Sequence, residues 1–214
     1  MPAKIKICGL MRPEDGAAAA AAGASYLGVV FAGGPRTVDS GRAKEVVAAA
    51  LGARVIGVFA EQSVEDILQL CDRIGLSGAQ LHGSYSAGAA RQLRAAGVEV
   101  WRVVRIAVPS DLDLLGDAIP ESDVVLVEPR VPQARGGAGL PLDLAIAREA
   151  RSRLAGHPMA LAGGLTPETV AEALLLVRPE IVDVSSGVEH LPGIKDSRRI
   201  TQFVEAVCAH SSLT

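Results

Sequence analysis

A cysteine and a glutamate, each placed directly after a short apolar run, are the residues of this 214-residue chain best placed for proton-transfer chemistry. Cys8 follows Ile5-Lys6-Ile7 and precedes Gly9. As a thiolate it would be a base or nucleophile, favoured where positive helix ends or the partners of a bound anion face it. As a thiol it would pack like a small hydrophobe. Glu128 follows Val124-Val125-Leu126-Val127 and precedes Pro129, which removes a backbone donor and biases Glu128 toward extended geometry. Partial burial there would let Glu128 keep its proton and act as a general acid. The structural alternative is a salt bridge, with Arg130 as a partner.

Other polar residues recur at the ends of apolar runs. His82, in Gln80-Leu81-His82-Gly83, is readable as a base, a donor or a satisfied structural histidine. Arg36, after Gly33-Gly34-Pro35, is either a solvated loop charge or a planar fork for a substrate carboxylate. Asp183 is a further substrate-binding candidate. Gly163 with Gly164, and Ser186 with Gly187, follow the last two apolar runs, where glycine lets backbone N–H groups approach phosphate oxygens. Either alone could be a tight turn, but together they favour phosphate. Gly136-Gly137-Ala138-Gly139 could close over a ligand. No cluster has metal-ligand spacing.

Something must bring these residues together. Strands are expected at Ile5–Cys8, Tyr26–Phe31, Arg54–Phe59, Gly78–Leu81, Glu99–Ile106, Asp123–Val127, Met159–Ala162 and Ile181–Ser185. Between them lie helical patterns. Pro13-Glu14-Asp15 opens an alanine-rich run, and Val64, Ile67, Leu68 and Cys71 form one helical stripe. Thr166-Pro167-Glu168 offers a cap before Val170, Leu174 and Val177. Strictly alternating strands and helices indicate an α/β fold, a single (β/α)8 barrel over residues 1–214, with the strand ends forming one mouth. An open doubly wound sheet is weakened by the absence of GxGxxG after the first strand.

Composition narrows the partner. The net charge of −3 gives no general attraction for nucleic acid or an anionic membrane, and 3% aromatic residues leave little for base stacking. No run reaches the roughly 18 to 20 apolar residues that span a bilayer. The three cysteines, Cys8, Cys71 and Cys208, form no CxxC pair, which suggests a reducing, cytoplasmic setting. Cys71 and Cys208 fall within helical patterns and are read as structural. The expected partner is a small phosphorylated molecule, with no nucleic acid and no membrane, bound by a monomer or homodimer.

Lys6-Ile7-Cys8-Gly9-Leu10, Arg12-Pro13-Glu14-Asp15, Pro35-Arg36, Gly57-Val58-Phe59, Gln80-Leu81-His82-Gly83, the Gly136 to Gly139 segment, Leu161-Ala162-Gly163-Gly164-Leu165 and Asp183 to Glu189 together resemble the phosphoribosylanthranilate isomerases. The resemblance extends to Gly193-Ile194-Lys195-Asp196. It implies a cofactor-free Amadori rearrangement in tryptophan biosynthesis, with Cys8 as base, Glu128 as acid, Arg36 at the anthranilate portion and the last loops on phosphate. The family pattern has aspartate where Glu128 stands, threonine is frequent at Met11, and threonine is usual at Ala138. A histidine-pathway aminoaldose isomerase would show paired aspartates and a duplicated half-barrel. A phosphate-binding module without catalysis would leave Cys8 without a role.

Overall fold

The computed structural model describes residues 2–130 and 141–211, so the Gly136-Gly137-Ala138-Gly139 segment lies outside the described residues. Eight parallel strands close into a barrel in chain order: β1 (Lys4–Ile7), β2 (Tyr26–Val30), β3 (Arg54–Phe59), β4 (Gly78–Leu81), β5 (Glu99–Ile106), β6 (Val124–Pro129), β7 (Met159–Leu161) and β8 (Ile181–Val184). β8 returns to β1, with Lys6 opposite Asp183 and Ile7 opposite Val184. All eight expected strands are present. The sixth runs further than expected, because the long β5 offers partners as far as Arg105↔Glu128 and Ile106↔Pro129. Glu128 therefore sits inside the last rung of the sheet.

Side chains along a strand alternate between faces, and the two faces pack differently. Ile5, Ile7, Leu27, Val125, Val127 and Val184 join the large apolar layer beneath the helices. Tyr26, Ile56, Trp101, Val124, Leu126 and Ala160 fill the barrel interior, where Trp101 meets Tyr26 edge-on at 5.0 Å. Each fully buried large apolar side chain contributes about 1.5–3 kcal/mol. These two layers hold the strand ends in a fixed geometry.

Eight helices alternate with the strands: α1 (Pro13–Ala22), α2 (Ser40–Ala48), α3 (Val64–Ile74), α4 (Ala87–Ala95), α5 (Leu115–Ala118), α6 (Leu144–Arg153), α7 (Val170–Val177) and α8 (Ser197–Ser211). Local chemistry sets their ends. Proline opens α1; the Ser63 hydroxyl accepts from Asp66 N at 3.1 Å to start α3, and Gly75 at φ 82° ends it. α7 begins later than its sequence suggests: the Thr166 hydroxyl accepts from Glu168 N at 3.2 Å, so Thr166-Pro167-Glu168 forms a turn ahead of the helix. No helix among the described residues is long and apolar enough to cross a membrane.

A small antiparallel hairpin, β9 (Glu189–Leu191) and β10 (Ile194–Lys195), follows β8 and was not expected. It bends back over the mouth. Lys195 N donates to Asp15 at 3.2 Å, and Gly193, at φ +81°, lies against Met11. A Cβ there would meet the Met11 sulfur, so only glycine allows this approach.

Candidate active site

Period-two alternation stacks two polar tiers on top of the apolar barrel interior. The lower tier holds Lys6, Gln80 and Asp183; two residues further along their strands, the mouth tier holds Cys8, His82 and Ser185, with Arg105 and Glu128 beside them.

Lys6 organises the lower tier. Its side chain is fully buried, and its ammonium donates to Gln80 Oε1 at 2.9 Å and Asp183 Oδ2 at 2.8 Å. The Cys8 sulfur lies near enough for its charge to act on the same ammonium. Burial disfavours its charge, but Asp183 and Cys8 outweigh burial and hold Lys6 above the ordinary lysine range. Asp183 is pushed above the usual carboxylate range by burial; Lys6 pulls it down, while the charge of Glu128 adds to the rise.

Cys8 keeps part of its surface open to the mouth. Its position depends on β2, because a Cβ on Gly28 would come within 2.6 Å of the Cys8 sulfur. Burial raises the thiol above its ordinary range, against the pull of Lys6 and Lys195, and Asp183 raises it further. Of the two readings left open by the sequence, the resting site favours the thiol: positive groups are present, but desolvation outweighs them.

Glu128 is also corrected in detail. Arg130 is not its partner, since that guanidinium bonds both oxygens of Asp111 at 2.8 and 2.7 Å. Glu128 Oε1 instead accepts from Arg105 Nε at 2.9 Å and lies 3.2 Å from His82 Nε2. A second Arg105 nitrogen meets His82 Nδ1. Because arginine only donates, Nδ1 accepts and Nε2 carries the hydrogen toward Glu128. Burial works to raise the carboxyl, yet His82 and Arg105 prevail and leave it below the usual range. These donors favour the carboxylate over the protonated form.

Arg36 forms a fork with Glu189, both bonds 2.7 Å, and Lys195 Nζ meets the same carboxylate at 2.7 Å. Burial opposes that charge, but the two cations hold Glu189 below its ordinary range. Arg36 is thus fixed at the mouth by the hairpin. The expected phosphate loops also meet: a Cβ on Gly187 would lie 1.9 Å from Leu165 O. Gly163 and Gly164 adopt φ 103° and 63°, and the N–H groups of Gly163, Gly164, Ser186 and Gly187 have no backbone partner among the described residues. Those free donors suit an anion.

The fold thus gathers Cys8, Glu128, His82, Asp183 and Arg36 around one mouth, with the glycine loops beside it. Lys6, Arg105, Glu189 and Lys195 complete it and were given no separate role by sequence. A lysine between Ile5 and Ile7, two residues before Cys8, was the available signal for the first. Among the described residues, no group of three His, Cys, Asp or Glu is placed to hold a metal ion.

A family model described as N-(5'phosphoribosyl)anthranilate (PRA) isomerase matches residues 5–206. The N-(5'-phosphoribosyl)anthranilate isomerase of Chlorobaculum parvum is 41% identical over 211 residues, covering 95% of this chain and 94% of that one. The crystal structure of phosphoribosyl anthranilate isomerase from Thermotoga maritima superposes with a TM-score of 0.87 at 29% identity, covering 97% and 99% of the two chains. Another isomerase structure, in complex with reduced 1-(o-carboxyphenylamino)-1-deoxyribulose 5-phosphate, gives a TM-score of 0.84 at 28% identity, covering 97% and 99%. With a strand-end site of this kind and a family match from β1 into α8, the chain belongs to the N-(5'-phosphoribosyl)anthranilate isomerase family.

Proposed function

We propose that Cys8 and Glu128 are the base and acid with which this chain performs its family's reaction, the Amadori rearrangement of N-(5'-phosphoribosyl)anthranilate to 1-(2-carboxyphenylamino)-1-deoxyribulose 5-phosphate in tryptophan biosynthesis. The observation that carries the assignment is that Cys8 at the end of β1 and Glu128 at the end of β6 lie across one mouth, with Asp183 close enough to feel both charges. Glu128 protonates the furanose ring oxygen, the C1–O bond breaks, and the nitrogen lone pair forms the C1=N bond. The Cys8 thiolate then takes the C2 proton. The resulting enolamine tautomerises to the ketone. Each step is a proton transfer of the kind that positioned side chains accelerate by about 10²–10⁴-fold.

Gly163, Gly164, Ser186 and Gly187 bind the phosphate through backbone N–H groups. Arg36, held by Glu189, faces the anthranilate portion; His82 and Asp183 contact the sugar and orient the catalytic pair. We read residues 1–214 as one catalytic domain acting in the cytoplasm on this small anion. The direct test follows the fluorescence of freshly prepared N-(5'-phosphoribosyl)anthranilate with the purified protein. Enzyme-dependent conversion to the ketose supports the reading; stable substrate in the presence of folded protein overturns it.

A further inference from the structure

With Lys6 matched by Asp183 and Arg105 by Glu128, the mouth holds one more anion and two more cations: Glu189, Arg36 and Lys195. They form a single cluster. Glu189 Oε1 accepts from Arg36 Nε and from Lys195 Nζ, both at 2.7 Å, and Oε2 accepts from Arg36 Nη2 at 2.7 Å. An arginine forked onto one carboxylate is close to neutral as a pair and pulls little on a second anion. The surplus charge belongs to Lys195.

Resting on the isomerase reading, in which Arg36 faces the anthranilate portion, we propose that Lys195 sets the preference for a carboxylate-bearing substrate: its charge offsets that of Glu189, so that Arg36 meets the ring carboxylate as a cation that is not already neutralised. Lys195 does not touch the substrate. It acts through Glu189 and Arg36.

Lys195 is built to carry that charge. Its side chain is fully enclosed, and Nζ donates to Glu189 Oε1, to Ser185 O at 3.1 Å and to Ser185 Oγ at 3.4 Å, three oxygens that suit the three N–H groups of an ammonium. Burial draws it below the ordinary lysine range, and Glu189 and Cys8 pull the other way. The Glu189 and Arg36 side chains are only 5% and 13% exposed, so water screens the three charges poorly. Arg36 is also fixed in place: a Cβ on Gly9 would come within 2.5 Å of its Cδ, which sets the guanidinium stem beside Cys8. With Nε and one Nη2 hydrogen given to Glu189, the outer edge formed by Nη1 and Nη2 has no partner among the described residues. A free planar edge suits a second carboxylate, provided the charge behind it is not cancelled.

The test compares two ligands by calorimetry on the full chain: reduced 1-(o-carboxyphenylamino)-1-deoxyribulose 5-phosphate and its phenylamino counterpart lacking the carboxyl. Sugar and phosphate are common to both, so the ratio of affinities reads the carboxylate alone. Wild type is expected to favour the carboxylated ligand by on the order of 10- to 100-fold. Lys195→Met leaves a neutral Arg36–Glu189 pair and should reduce that ratio to a few-fold. Adding Glu189→Gln to Lys195→Met uncovers the charge of Arg36 again without restoring the ammonium, and should return the ratio to within a few-fold of wild type. A lysine that merely braces the fold would weaken both ligands alike, keep the ratio, and leave the double variant no better than the single; any of these results overturns the proposal. Should Lys195→Met fail to fold, Glu189→Gln alone decides. It should raise the ratio about threefold or more, and an unchanged or lower ratio overturns the proposal. A wild type that does not distinguish the two ligands overturns it together with the placing of the anthranilate portion at Arg36. The expected pattern in a chain without turnover would support the charge account and sink the isomerase reading.

Discussion

Lys6 and Asp183 face each other across the seam where β8 closes the barrel onto β1, their charged atoms 2.8 Å apart and almost wholly out of reach of water. Lys6→Met leaves Asp183 buried without its cation, a change that costs about 3–5 kcal/mol. Lys6→Met with Asp183→Asn should recover part of that loss. Because Lys6 is held above its ordinary range when folded, its contribution is fully present below the unfolded lysine value. It is lost as pH rises through the folded value. Urea denaturation at neutral and strongly alkaline pH measures both effects; equal stability of the single and double variants would contradict the pairing.

Cys8 must be a thiolate to act, and burial holds it above the ordinary thiol range. The thiolate fraction of Cys8 should therefore rise with pH through neutrality and level off only above that range, while kcat/KM stays nearly level there because Glu128 loses its proton as Cys8 does. Peptide-resolved alkylation by iodoacetamide should trace the same rise at Cys8. Free N-acetylcysteine in the same buffers serves as the reference, while burial pushes Cys71 up to about 11. Cys8→Ala should fold normally and lose about a hundredfold or more in kcat. A Cys8 alkylation curve matching that of free N-acetylcysteine would contradict a thiol raised by burial.

The two phosphate loops depend on glycine at position 187, where a Cβ would fall 1.9 Å from Leu165 O. Gly187→Ala should drive the loops apart, raise KM about tenfold or more and destabilise the fold by roughly 1–3 kcal/mol. Gly116→Ala is the control, since nothing lies within 4 Å of a Cβ there. Unchanged inorganic phosphate binding and KM in Gly187→Ala would remove these loops from the phosphate site.

Much of the barrel was legible because local signals agreed with the global fold: eight apolar runs, each separated by a helix pattern with its own caps, as with Ser63 and Gly75 around α3. The hairpin of Glu189–Leu191 and Ile194–Lys195 was not, since its strands are too short for periodicity and are set by contacts with Met11 and Asp15. Strand ends pointed to Cys8 and Glu128, and the fold brings both to the mouth. Their charge states stayed open in the sequence because proton affinity depends on residues distant along the chain. Lys6 reaches Gln80 and Asp183, and Arg105 reaches back to His82 and forward to Glu128. The alternative of a Glu128–Arg130 pair drew on nearness in sequence; the register Arg105↔Glu128 supplies the nearer partner in space.

We propose Glu128 as the acid, its carboxylate held by Arg105 Nε at 2.9 Å and lying 3.2 Å from His82 Nε2. Its most direct test is kcat/KM for wild type, Glu128→Gln and Glu128→Asp on N-(5'-phosphoribosyl)anthranilate, with affinity for the reduced product measured on the same preparations. Glu128→Gln should lose about a hundredfold or more while still binding the reduced product, because the amide has no acidic proton to deliver. Glu128→Asp should turn over with about a 10- to 100-fold loss, as the shortened carboxyl withdraws from its partners. A Glu128→Gln variant within a few-fold of wild type would contradict the account.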